Sequence, residues 1–69
     1  MSDIELVVTI DRRTAWELAQ FAKRLGFQAC YELTEAHLSQ DERRDKAYLM
    51  IHGMDLVARA LACAGFAPR

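Results

Sequence analysis

The segment Ile4-Glu5-Leu6-Val7-Val8-Thr9-Ile10 constrains this chain more than any other feature. It is the only clear stretch that alternates with the period of two expected of a β-strand. A lone strand leaves backbone N–H and C=O groups without partners along both edges, and an unpaired apolar edge invites aggregation. The expectation is therefore that the strand pairs antiparallel with its own copy across a two-fold axis. That contact needs only one self-complementary surface. Ile4, Leu6, Val8 and Ile10 would then point onto the helices, and Glu5, Val7 and Thr9 outward.

The rest of the chain reads as helix. Asp11 suits the N-cap of a helix beginning at Arg12, along which Ala15, Leu18, Ala19, Ala22 and Leu25 recur at helical spacing with Phe21 on the flank. Gly26 is placed to end it as the left-handed C′ residue, with Phe27 as the apolar contact that follows. Residues 28–38 read as a short helix, with a second strand as the alternative. Ser39-Gln40-Asp41-Glu42 has the spacing of a capping box for a last helix running to about Ala64. Gly65, Phe66 and Pro68 supply its stop. The predicted fold class is mainly α with one N-terminal strand, β-α-α-α, in a single domain spanning residues 1–69.

The last helix also asks for a partner. Ala47, Met50, Met54, Val57, Leu61 and Ala64 form one apolar stripe, and Leu49, Gly53, Leu56, Ala60 and Cys63 a second beside it. Ile51 and Ala58 flank the first stripe. Together the arc covers roughly 240°, far wider than the stripe of an ordinary surface helix. Gly53 and Ala60 leave a shallow groove for a close neighbour, so Gly53, Leu56 and Ala60 join Ile4, Leu6, Val8 and Ile10 as the expected dimer interface. A chain of 69 residues, 52% apolar, is globular but near the lower size limit for one hydrophobic core, which points the same way.

Composition narrows the function classes. The N-terminus leads straight into the strand with no apolar leader, and no run is long enough to span a membrane, so a cytoplasmic location with free thiols is expected. A net charge of −1 gives no general attraction to nucleic acid or anionic lipid. Charge is uneven, however. Residues 11–26 carry net +2 through Arg12, Arg13, Lys23 and Arg24 against Asp11 and Glu17, and residues 27–45 carry net −3. This pattern is either plain solvated surface or a means of orienting a partner.

Cys30, His37, His52 and Cys63 have the count of a zinc site but not its spacing, since compact sites use pairs two to five residues apart. No metal, cofactor or catalytic residue is expected; a buried cysteine and exposed histidines explain the four. Trp16 is the residue that asks for a role. It projects away from the core stripe of its helix, with Arg12, Arg13, Gln20 and Lys23 nearby. Trp beside Arg is the composition of a binding hot spot, and these five residues are the expected partner-binding set. The alternative is that part of the dimer covers Trp16.

Two resemblances add to this reading. The stretch VVTIDRRTAWELAQFAKRLG looks like the strand, first helix and glycine turn of ribbon-helix-helix DNA-binding proteins. That resemblance implies outward strand residues in the major groove, here Glu5, Val7 and Thr9; a glutamate there and the absence of a basic surface count against it. The stretches TAWELAQFAKRLGF (14–27), KAYLM (46–50) and VARALACAGFAPR (57–69) resemble a family of short uncharacterised proteobacterial proteins, which implies no known activity. In style, such short chains also resemble phage and mobile-element accessory proteins, including anti-CRISPR inhibitors. The expectation is a non-enzymatic homodimer that binds or inhibits another protein, with an anti-CRISPR-type inhibitor of a host defence complex as one version. The alternative is a DNA-binding transcriptional regulator of the ribbon-helix-helix type.

Overall fold

A computed structural model of the chain describes residues 3–67 and contains three helices. These are α1 (Arg12–Arg24), α2 (Phe27–Glu32) and α3 (Gln40–Cys63). No strand occurs among the described residues. The predicted β-α-α-α order is thus corrected to three helices preceded by an unpaired segment. The physical reason is that alternation assigns side chains to faces but supplies no hydrogen-bond partner. The one other candidate strand, within 28–38, folds instead into α2 and the turn after it.

The predicted orientation of that segment is corrected as well. Ile4, at 81% exposure, does not rest on the helices, and Leu6, Val7 and Val8 are exposed with it. Ile10 alone is half-buried, against the core cluster.

Helix α1 begins after Asp11, the extended N-cap residue, whose carbonyl accepts from the Ala15 N–H at 2.9 Å. The Asp11 carboxylate takes the Thr14 hydroxyl hydrogen bond rather than a backbone N–H. Its end also differs from the sequence expectation. Leu25 is the extended C-cap, and Gly26, at φ −113°, is the N-cap of α2 rather than a left-handed stop. Two extended residues therefore turn the chain from one helix into the next.

The ends of α3 follow the expected chemistry. Ser39 Oγ accepts from the Glu42 N–H at 3.2 Å and donates to the Glu42 carboxylate at 3.2 Å, while Asp41 and Glu42 occupy the positive end of the helix. At the far end, Gly65 at φ +99° closes a Schellman motif. In it the Gly65 N–H donates to Ala62 O at 3.0 Å and the Phe66 N–H to Leu61 O at 2.8 Å. Phe66 is thereby folded back onto the cluster that contains Leu61. Pro68, the remaining element of the predicted stop, lies outside the described residues.

Helices α1 and α2 both pack on α3. The first turn of α1 meets Phe66, whereas Phe27, just past α1, meets Tyr48, so α1 runs counter to α3. The core is small: Ala15, Ala19 and Leu61 with Ile10, Leu18 and Phe66 around them, and Cys30 and Ala47 buried toward the α2 end. Arg43 ties that end together. Its side chain donates to Thr34 Oγ1 at 2.8 Å and to Tyr31 O at 3.1 Å, with the guanidinium 4.3 Å from the Tyr31 ring centroid. The molecule is a slab of 39 × 30 × 15 Å, about one helix thick along its shortest axis.

Candidate functional site

Two surfaces collect the residues that the packing does not use. The first lies on α1. Trp16 is 39% exposed, and its ring meets Phe66 edge-on at 5.1 Å between centroids and 70° between planes. The cover for Trp16 thus comes in part from its own chain, through the glycine stop of α3, a source that helical periodicity in α1 does not reveal. Arg12 reaches over the Phe66 ring, its guanidinium carbon 5.9 Å from the centroid.

Beside Trp16, residues Asp11, Arg13, Thr14 and Glu17 line an open depression of ≈ 740 Å³. The Thr14 hydroxyl donates to the Asp11 carboxylate and holds its pKa below the usual value, so Asp11 is anionic at neutral pH. The floor is therefore half of an indole with one cation and two anions at its rim. Of the predicted partner-binding residues, Trp16 and Arg13 line the depression and Arg12 sits on the adjoining Phe66. Gln20 is half-buried one turn further along α1, and Lys23 is exposed beyond it.

The second surface is the outer face of α3. The face turned toward α1 and α2 carries Arg43, Ala47, Ile51, Met54, Ala58 and Leu61, all buried or half-buried. This rotates the first predicted stripe by about 50° around the helix: Ala47, Met54 and Leu61 stay on the packed face, while Met50, Val57 and Ala64 lie at its exposed edge. The second predicted stripe faces away from the core throughout. Leu49 is 70% exposed and Leu56 52%, and Gly53, Ala60 and Cys63 are exposed with them. The space over Gly53 is open, with no atom within 4 Å of where a Cβ would stand.

Cys30, on α2, is the buried cysteine, whereas Cys63, although on the apolar arc of α3, is exposed because that part of the arc has no neighbour among the described residues. Among the described residues no three His, Cys, Asp or Glu side chains gather as metal ligands would. Among the same residues, no helix is long and apolar enough to cross a membrane.

The chain matches the Family of unknown function (DUF7706) over residues 1–69 and belongs to that family. No curated protein and no solved structure matches it.

Proposed function

We propose that this family member is a homodimeric protein-interaction module. Two copies associate through the apolar surface that the single chain leaves uncovered, and the Trp16 face of α1 engages a further protein as binder or inhibitor. The observation that supports this most is surface area. The chain exposes 5921 Å² for a mass of 7.9 kDa, against about 4,400 Å² for a self-sufficient folded monomer of that size. The excess, roughly 1,500 Å², is shared between the exposed segment around Ile4, Leu6, Val7 and Val8 and the outer face of α3, and a standard interface buries ~800 Å² per partner.

Shape agrees with area. The radius of gyration is 13.8 Å, where a compact domain of this length has about 11 Å. Among the described residues, no fully buried side chain is larger than that of Cys30. A core of alanines and one leucine is thin support for a cooperative fold, and a second copy adds apolar burial without adding sequence.

The reading assigns no catalytic step to the chain. The Trp16 depression has the ingredients of a protein hot spot, an indole with arginines beside it, and its rim is charged and open rather than enclosed. The DNA-reading alternative depends on a paired ribbon, and no specific observation favours it.

If folding and association are coupled, dilution must destabilise the fold. Thermal unfolding followed by circular dichroism across a hundredfold concentration series should show a melting temperature that rises with concentration. A melting temperature independent of concentration would contradict the homodimer.

A further inference from the structure

We infer that the two copies associate through α3 packed antiparallel against its counterpart, with Leu56 of each chain seated opposite Gly53 of the other and Leu49 opposite Ala60. The inference deepens the homodimer reading and rests on it. The exposed stripe Leu49, Gly53, Leu56, Ala60, Cys63 steps by four, three, four and three residues, the spacing of a seam between two helices. Along it, large and small side chains alternate.

That alternation selects the direction. In a parallel pair like positions meet, so Leu56 would abut Leu56 and Gly53 would face Gly53, leaving a void at each glycine layer. In an antiparallel pair the leucine positions face the small ones, and each leucine fills the notch left by a glycine or an alanine. The notch at Gly53 is open in the single chain, as this occupant requires.

The flanks of the stripe select the same direction independently. One flank carries Met50, Val57 and Ala64, and the other Asp45, His52 and Arg59. Parallel association would set each apolar flank against the partner's polar flank. A two-fold axis perpendicular to the helices instead sets like against like, so Met50 meets Val57 of the second copy and the polar flanks share solvent. The second copy as occupant follows from the homodimer reading: Leu49, Met50, Leu56 and Val57 form an exposed apolar face on α3 that its own chain leaves uncovered.

The register can be read with cysteines. With Leu56 opposite Gly53, Cys63 faces position 46 of the second chain, and the two copies of Cys63 lie about 25 Å apart along the helix axis. Mild copper-phenanthroline oxidation of the unaltered dimer should leave Cys63 unlinked between chains. The Lys46→Cys variant should give a covalent dimer whose cross-linked peptides join residue 46 to residue 63. A Cys63–Cys63 link in the unaltered protein would show parallel helices and overturn the inference, as would a Lys46→Cys dimer with no 46–63 link. Light scattering on the same samples separates the two levels, since a single-chain mass would overturn the homodimer reading beneath it.

Discussion

Phe66 stands one residue beyond the glycine that ends α3, and its ring meets Trp16 of α1 edge-on at 5.1 Å. The contact joins the second turn of α1 to the residue just past the end of α3 through a backbone conformation that only Gly65 adopts without strain. Aromatic pairs of this geometry contribute beyond their buried area, so the two rings should be energetically coupled. A double-mutant cycle with Trp16→Ala and Phe66→Ala in urea should give a coupling of about 1 kcal/mol. Additive single-mutant effects would show that the rings do not support one another.

Arg43 is the pin of the α2 end. It satisfies Thr34, which is buried, and the Tyr31 carbonyl at the same time, while its guanidinium carbon lies 4.3 Å from the Tyr31 ring centroid. Removing a charged donor from such a site costs about 2 kcal/mol. Arg43→Ala should lower stability by that amount in chemical denaturation. Arg43→Lys should recover little of it, because an ammonium cannot reproduce the fork and stack of a guanidinium. Full recovery with lysine would reduce the role of Arg43 to its charge.

The turn after α2 is tied to α3 by Lys46, whose Nζ lies 2.8 Å from a Glu35 carboxylate oxygen. That hydrogen bond, helped by a Glu35 backbone hydrogen bond and the lysine charge, holds the Glu35 pKa below its ordinary value. A carboxylate with a depressed pKa in the folded state adds stability above its unfolded value of 4.5, and this is lost as pH falls through the lower, folded value. Glu35→Gln should therefore flatten the fall in melting temperature on the acid side, below about pH 4.5. An acid limb identical to that of the unaltered protein would show that the pair is not linked to folding. Both groups are exposed, so the effect should be small and should fade with added salt.

Much of the helical content was legible in the sequence because its signals are local. Ser39 and Glu42 cap α3 as their spacing predicts, and Gly65 stops it in the left-handed conformation that its place before Phe66 suggested. The N-terminal segment differs from its reading because a strand is defined by its neighbour, and Ile4 to Ile10 find none among the described residues. Gly26 was misread for a related reason. A glycine between two helices serves as a stop or as a start, and only the position of α2 decides which. In the candidate site, the exposed stripe from Leu49 to Cys63 followed from helical periodicity alone. Trp16 was found as an outlier on α1, but its contact with Phe66 depends on a tertiary return of the chain that periodicity does not encode.

The account turns on whether the outer face of α3 is covered by a second copy. The most direct measurement is the mass of the unaltered protein in solution, by light scattering on a sizing column at micromolar concentration. The prediction is about twice the 7.9 kDa of one chain, held across the elution peak. A peak at 7.9 kDa from protein that still unfolds cooperatively would contradict it, because the small core of Ala15, Ala19 and Leu61 would then suffice without a partner.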